Sequence, residues 1–167
     1  MGGAVVAIVM GSESDSEVMR GAADVLKSFS VPYEMSVSSA HRALEKTLDY
    51  ARTAEKRGVK VVIAGAGGAA HLPGVLAAVT SLPVIGVPID SSPLKVMDAL
   101  LSIAQMPSGV PVATMAVGIA GAKNAAYFAL RILALHDHDL RAKLEDHKAR
   151  MAGEVEASDK KIRGEGA

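Results

Sequence analysis

Short apolar runs alternate along this chain with longer stretches in which apolar residues recur at helical spacing. A run of about 4–8 apolar residues is typical of a buried strand, whereas apolar positions three or four apart indicate a helix packed on one face. The runs predict strands at residues 4–10, 32–38, 59–64, 83–89 and 111–117. The helical spacing predicts helices at residues 16–29, 43–57, 73–81, 94–106, 122–136 and 140–154.

This alternation favours a parallel sheet covered by helices on both faces. Five strand–helix units predict a flavodoxin-like three-layer α/β/α sandwich with strand order 2-1-3-4-5, followed by a C-terminal helix. The chain has 167 residues, a length that fits one domain, and we assign a single catalytic domain to residues 1–155. The polar residues 156–167 predict a flexible C-terminal tail.

Composition and charge narrow the classes of function. The 18 Lys and Arg residues balance 18 Asp and Glu, so we expect no nucleic-acid partner. The chain has no cysteine and its five histidines are scattered, which argues against a metal site. Aromatic residues make up only 3%, which disfavours a stacked flavin. The N-terminal apolar run is too short for a signal peptide or a membrane span, so we expect a cytoplasmic protein without membrane contact.

The predicted strand order places three unusual loops together. In such sheets a ligand binds beyond the carboxyl ends of the strands, at the switch point between strands 1 and 3. The loops that meet there are residues 11–16 (GSESDS), 38–42 (SSAHR) and 65–71 (GAGGAAH). These loops also carry the residue types best suited to chemistry, so periodicity and residue type point to the same place.

The first loop suits a ribose phosphate. Residues 14–17 fit a capping box, which would begin a helix whatever the function. The hydroxyls of Ser12 and Ser14, beside a helix N-terminus, also suit a phosphate. The carboxylate of Asp15 would repel a phosphate but suits a neighbouring ribose or amine.

The second loop combines an anion ligand with a proton carrier. Ser38 or Ser39 serves as a helix cap in the simplest interpretation, with His41 on the surface. Arg42 changes that balance, because a guanidinium makes bidentate contacts with phosphate. His41 would then lie near the same ligand, where an imidazole transfers protons close to neutral pH.

The third loop partly matches a dinucleotide fingerprint, with Gly65, Gly67 and Ala70 after a strand and Asp90 downstream. The fingerprint normally follows the first strand, and the helix here begins late, near residue 73. We therefore interpret the glycines as room for close approach of the backbone to a flat ligand. His71 is a second ring in this region, and the sequence leaves both a structural and a direct role open.

Five stretches closely resemble motifs of the N5-carboxyaminoimidazole ribonucleotide (N5-CAIR) mutases, small purine-biosynthesis enzymes of the AIR carboxylase family: MGSESDSEVM, SSAHR, AGAGGAAHLPGVLAA, PLKVMDALLSIAQMPSGVPVATMAVG and AGAKNAAYFA. The resemblance covers residues 5–135. It implies the flavodoxin-like fold, a homo-octamer, and an isomerase that moves a carboxylate from N5 to C4 of aminoimidazole ribonucleotide, giving CAIR. It also implies that no ATP, biotin, metal or other cofactor is used.

The same resemblance implies roles for single residues. His41 would be the general acid/base: cleavage of the N5–CO2 bond leaves trapped CO2, C4 attacks it, and His41 takes the C4 proton. The implied substrate-binding residues lie on the three loops: Ser12, Ser14, Asp15, Ser39, Arg42, Gly67, Ala70 and His71. Of these, Ser12, Asp15 and Arg42 would hold the ribose phosphate.

The chain departs from the family pattern at a few positions. Family members usually have Thr-Pro after the His-Arg pair, where this chain has Ala43-Leu44. Val96 stands where a glycine is usual, and Ala99 where a serine is frequent. These departures affect local packing more than chemistry, although they raise the question of how His41 is held.

Three other functions remain open. A sister class carboxylates aminoimidazole ribonucleotide with free CO2, but the Gln105-Met106-Pro107 sequence resembles the mutase class. A dinucleotide-binding oxidoreductase would use residues 65–70, and a non-catalytic nucleotide-binding module would need no acid/base. Independently of the resemblance, the helix at 94–106 is apolar nearly all round, which predicts burial on every side and makes subunit contact an economical explanation.

Overall fold

The computed structural model, which describes residues 3–165, contains a five-stranded parallel sheet in the order β2-β1-β3-β4-β5. The predicted fold class is therefore confirmed, including the switch point between β1 and β3. The strands are β1 (Val6–Met10), β2 (Tyr33–Val37), β3 (Val61–Gly67), β4 (Val84–Ile89) and β5 (Ala113–Thr114). The helices are α1 (Ser16–Ser28), α2 (Leu44–Ala54), α3 (Leu72–Val79), α4 (Met97–Ala104), α5 (Gly118–Leu133) and α6 (His138–Glu165).

The centre of the sheet is apolar because both faces are covered. β1 is buried along its whole length. Ala7 and Val9 pack in one cluster with residues of α2, α3 and α4. On the opposite face α1 buries Met19, whose side chain packs over Gly65 of β3. Near-continuous apolar strands are what a doubly covered parallel sheet requires, which is why the sequence pattern located them.

Several elements are shorter than the pattern predicts, and β5 and α4 are shortened most. β5 covers Ala113–Thr114 rather than 111–117. Its late start fits Pro111, which has no N–H to donate to the sheet. α4 begins at Met97 rather than at residue 94, because Lys95 and Val96 adopt positive φ angles of 50° and 68°. Such angles are strained for a β-branched residue, and Val96 is the position where the resembled family usually has glycine.

The prediction that the helix at 94–106 is buried on every side is wrong for the single chain. Leu94 is 64% exposed, Met97 52% and Leu101 49%, whereas Ala99 and Ile103 are fully buried. The helix therefore packs one stripe against the sheet and leaves an apolar surface uncovered.

The chain divides into two compact units, one ending at Ala129 and one beginning at Leu130. The first unit contains the whole sheet. In the second, Asp137 accepts a hydrogen bond from the Leu140 N–H at 2.9 Å and so caps α6, which continues through the predicted tail segment to Glu165. Residues 166 and 167 lie outside the described part. The assignment of residues 1–155 to one domain, followed by a flexible tail, stays a prediction. Within residues 3–165 no helix is both long and apolar enough to cross a membrane.

Candidate active site

The loops after β1, β2 and β3 surround a cleft of about 280 Å³ at the carboxyl end of the sheet. The cleft is lined by Gly11, Ser12, Ser14, Asp15, Ser39, Ala40, His41, Arg42, Ala66, Gly67, Ala69, His71, Leu72 and Ser91. Every site residue predicted from the sequence is in this lining except Ala70, which is only 1% exposed and belongs to the apolar cluster beneath the loop. The three loops thus meet where the strand order placed them.

The capping box of the first loop lies earlier in the chain than predicted. It pairs Ser12 with Asp15 rather than Ser14 with Glu17: the Ser12 N–H donates to Asp15 Oδ2 at 3.1 Å, and Ser12 Oγ accepts from the Ser14 N–H at 3.4 Å. The reason is a 3₁₀ turn, Glu13–Asp15, inserted before α1. As a result Asp15 turns inward, beneath hydroxyls that line the cleft.

Asp15 is only 6% exposed although it borders the cleft. Burial raises its pKa above the ordinary value, and hydrogen bonds from the backbone N–H groups of Ser12 and Gly11 only partly oppose that effect. A carboxylate in this position has lost most of its hydration, so hydrogen bonds from hydroxyl groups of a ligand would stabilise it.

Arg42 links the second loop to the first. Its Nη2 donates to the Gly11 carbonyl at 3.3 Å, and its backbone N–H donates to Ser39 Oγ at 3.2 Å. The Arg42 Nε also points to Ser39 Oγ, at 3.4 Å. Ser39 is thereby occupied in orienting the arginine. The guanidinium is exposed and lines the cleft beside Ser12 and Ser14, an arrangement that suits an anion.

His41 and His71 are in direct contact. His41 Nε2 and His71 Nδ1 lie 2.7 Å apart, and the ring centroids are 4.8 Å apart in an edge-on arrangement. At this distance one nitrogen carries a proton and the other accepts it through a lone pair, so a single hydrogen bond joins the two rings. His71 is itself fixed by the third loop, because its N–H donates to the Ala69 carbonyl at 2.8 Å and its carbonyl accepts from Val75 at the start of α3.

The glycines of the third loop do not form a dinucleotide fingerprint. β3 continues to Gly67, so Gly65 lies inside the strand and faces Met19 rather than a ligand. A tight strand-to-helix turn is also missing, since α3 begins only at Leu72. Among the glycines of this third loop, Gly67 alone borders the cleft. The space that a side chain would need is filled by Met19 at Gly65 and by Ser91 and the Ile89 carbonyl at Gly67, so neither glycine leaves room for a flat ligand.

Sequence reasoning missed Ser91, which follows β4 and lines the cleft next to Gly67. The signal that could have found it is the strand order itself, because β4 neighbours β3 and ends at the same edge of the sheet.

A larger hollow, of about 530 Å³, lies beside the beginnings of β4 and β5. Its described lining residues include Leu82, Pro83 and Phe128 but no charged side chain and no histidine. The smaller cleft is therefore the candidate active site, because it alone of the two combines acid/base groups with a cation.

Comparisons with known proteins identify the family of the chain. The model of the AIR carboxylase family matches residues 5–154. A Pyrococcus abyssi N5-carboxyaminoimidazole ribonucleotide mutase is 60% identical over 146 residues, which cover 87% of this chain and 83% of that protein. The Bacillus subtilis protein of the same name is 57% identical over 144 residues, covering 86% and 89%. The crystal structure of Treponema denticola PurE matches with a TM-score of 0.85 and 28% identity, covering 94% of this chain and 97% of that one.

Proposed function

This chain belongs to the AIR carboxylase family, and we propose from that premise that its cleft converts N5-CAIR to CAIR in purine biosynthesis. The reaction is an isomerisation, since the carboxylate leaves one atom of the substrate and returns to another. Relatives that carry this function in their names are 51–60% identical over most of the chain. The proposal rests on one observation: the hydrogen-bonded pair His41 and His71 and the exposed guanidinium of Arg42 line the same cleft.

The ribose phosphate of the substrate binds between the first two loops. Arg42 supplies a guanidinium for the phosphate, and the hydroxyls of Ser12 and Ser14 supply neutral donors beside it. Asp15 accepts hydrogen bonds from the ribose rather than from the phosphate, because two anions would repel each other. This placement directs the imidazole ring of the substrate toward the histidine pair and the Gly67 end of β3.

The chemistry needs one proton to leave C4 and one to reach N5. Breaking the N5–CO2 bond leaves its electron pair on the aminoimidazole ribonucleotide and releases CO2 into the cleft. Protonated His41 gives a proton to N5, C4 attacks the CO2 carbon, and the C4 proton then passes to His41, which returns to its starting state. His71 is positioned to orient the His41 ring through their 2.7 Å contact. Recapture requires that the CO2 stay beside C4 in the cleft, because a neutral gas held next to a carbon nucleophile is attacked before it diffuses away.

Replacing the acid/base without removing the phosphate ligands tests this assignment. In His41→Asn we expect turnover of N5-CAIR to fall by about 100-fold or more, which is the range that general acid–base catalysis supplies. Product affinity, measured by calorimetry, should stay within about threefold of the wild type, because Arg42 and Ser12 remain.

His136→Asn is the matched control, since His136 is an exposed histidine that does not line the cleft. Its turnover should equal that of the unaltered chain. Wild-type turnover in His41→Asn would refute the catalytic role. A thermal-shift screen separates the oxidoreductase alternative, because protection by NAD(P) rather than by aminoimidazole ribonucleotide would favour it.

We also propose that the chain acts as a homo-octamer in the cytoplasm. The exposed apolar surface of Leu94, Met97 and Leu101 supports subunit contact, since covering it would remove apolar area from water. The cytoplasm is the compartment where a charged ribose phosphate can reach the enzyme without crossing a bilayer. Sedimentation at micromolar concentration tests the assembly, and a monomer would refute it.

A further inference from the structure

Two buried hydroxyl groups lie beneath the loop that carries His41 and Arg42. Ser38 is 1% exposed and Thr47 is fully buried, and their oxygens lie 2.8 Å apart. Ser38 begins the loop and Thr47 lies on α2, the helix that follows it. Burying a hydroxyl costs free energy unless it is hydrogen-bonded, so breaking the contact between Ser38 and Thr47 would destabilise the fold.

The direction of the hydrogen bonds follows from the third partner. Thr47 Oγ1 also lies 3.1 Å from the Ala43 carbonyl oxygen, which only accepts. Thr47 therefore donates to Ala43, and its oxygen accepts the hydrogen of Ser38. The chain Ser38 to Thr47 to Ala43 joins the two ends of the segment that contains the catalytic histidine and the arginine.

Other contacts fix the same segment at its beginning and within itself. The Ser38 N–H donates to the Met10 carbonyl at 2.8 Å, which ties the loop to β1. The Ala43 N–H donates to the Ser39 carbonyl at 2.9 Å, which closes the loop as a turn. The far end has no comparable side-chain anchor of its own, since Ala43 occupies the N-cap of α2 and makes no side-chain hydrogen bond.

We propose that Thr47 is a positioning residue for His41 and Arg42, holding the end of their loop through its buried hydroxyl. The resembled family usually has Thr-Pro where this chain has Ala43-Leu44, so the local start of α2 lacks both a cap hydroxyl and a rigid ring. Thr47 holds this start in a different way, because its hydroxyl donates to the Ala43 carbonyl at 3.1 Å, beside the Thr47 N–H that donates to the same oxygen at 3.1 Å. The inference rests on the proposed function, because it assigns the loop's purpose to the reaction.

A pair of substitutions at Thr47 separates the hydroxyl from the methyl group. Thr47→Val keeps the shape and the backbone hydrogen bond to Ala43 but removes both side-chain hydrogen bonds. We expect kcat/KM for N5-CAIR to fall about 10-fold or more, since a misplacement of about 1 Å can cost about 100-fold. Affinity for ribose 5-phosphate should fall as well, because Arg42 is on the same loop. Thr47→Ser keeps the hydroxyl and loses packing, and it should stay within about twofold of the wild type in both measurements.

Thr53→Val is the control. Thr53 lies on the same helix, and its hydroxyl donates to the Asp49 carbonyl at 2.8 Å without reaching the loop. We expect its kcat/KM and its affinity for ribose 5-phosphate to match the wild type. If Thr47→Val does not fold, Ser38→Ala combined with Thr47→Val replaces it, because removing both partners leaves no unpaired hydroxyl.

The inference is overturned if the hydroxyl-free variant keeps wild-type kcat/KM and affinity, or if Thr47→Ser loses as much as Thr47→Val. The second result would mean that packing alone matters. Failure of the proposed function has a different signature, because the unaltered chain would then not convert N5-CAIR. The affinity for ribose 5-phosphate would still decide the role of Thr47 in that case.

Discussion

Gly67 is the last residue of β3, and it has no room for a side chain. A Cβ placed there would lie 2.9 Å from the Ile89 carbonyl oxygen and 2.8 Å from the Ser91 Cβ, and closer still to the Ser91 hydroxyl. Ordinary contacts begin at 3.4 Å, so the Ile89 carbonyl would have to retreat by about 0.5 Å. Gly67 and Ile89 are register partners in the sheet, which means that this retreat disturbs the pairing of β3 with β4.

Gly67→Ala should therefore lower both stability and activity. Overpacking typically costs about 1–3 kcal/mol, which corresponds to a decrease in Tm of about 2–12 °C for a chain of this size. Because Gly67 also lines the cleft, a displacement of about 0.5–1 Å should reduce kcat/KM for N5-CAIR by about 10- to 100-fold. Differential scanning calorimetry and a steady-state assay of CAIR formation measure the two effects.

Two further variants show whether the crowding is the cause. Gly153→Ala introduces the same methyl group on α6, where no atom lies within 4 Å, so it should leave kcat/KM unchanged. Gly67→Ala combined with Ser91→Gly removes the Ser91 atoms from the clash and should recover part of the lost Tm. The reasoning would be refuted by a Gly67→Ala protein with wild-type Tm and wild-type kcat/KM.

Three other substitutions test the electrostatics and the histidine pair. Burial raises the pKa of Asp15, so the contribution of Asp15 to stability is greatest in acid and is lost as the pH rises through the raised pKa. Asp15→Asn should therefore increase Tm at pH 7 while weakening substrate binding. An unchanged Tm would contradict a destabilising buried charge at this position. Burial acts to raise the pKa of Glu34, but hydrogen bonds from Tyr50 at 2.5 Å and Arg57 at 2.9 Å outweigh it and hold that pKa below its ordinary value. Glu34 therefore stabilises the fold above about pH 4.3 and loses this effect as the pH falls through its lowered pKa. The Tm difference between wild type and Glu34→Gln should accordingly shrink in acid. A difference that does not change with pH would argue against the hydrogen bonds from Tyr50 and Arg57 to Glu34. His71→Leu removes the hydrogen-bond partner of the His41 ring. It should lower kcat by about 10-fold or more without weakening the binding of ribose 5-phosphate. An unaffected kcat would mean that His71 has a structural role only.

The strand order and the meeting of three loops could be predicted because both follow from local patterns. A buried parallel strand is a continuous apolar run, and the ends of such strands share one edge of the sheet. The contacts inside the site could not be read in the same way. The pairing of His41 with His71, and of Ser38 with Thr47, joins residues 30 and nine positions apart, and their distances depend on how the loops close.

Predictions from the sequence were also wrong where two local sequence patterns compete for the same residues. The sequence around Ser12 contains two overlapping capping patterns, and the 3₁₀ turn decides in favour of Asp15. The glycines of the third loop match a nucleotide motif, but Gly65 is required by a methionine on the opposite helix. The positive φ of Val96 has no signal in a β-branched residue, since that conformation is normally reserved for glycine.

The central claim is that one carboxylate moves within one substrate molecule, with His41 handling the C4 proton. N5-CAIR labelled with ¹³C in its carboxylate, incubated with the wild-type protein in unlabelled bicarbonate, tests this claim most directly. We expect the label in the C4 carboxylate of the CAIR product, because the released CO2 is recaptured before it leaves the cleft. Unlabelled CAIR formed from the bicarbonate would contradict the account and would make the protein a carboxylase that uses free CO2.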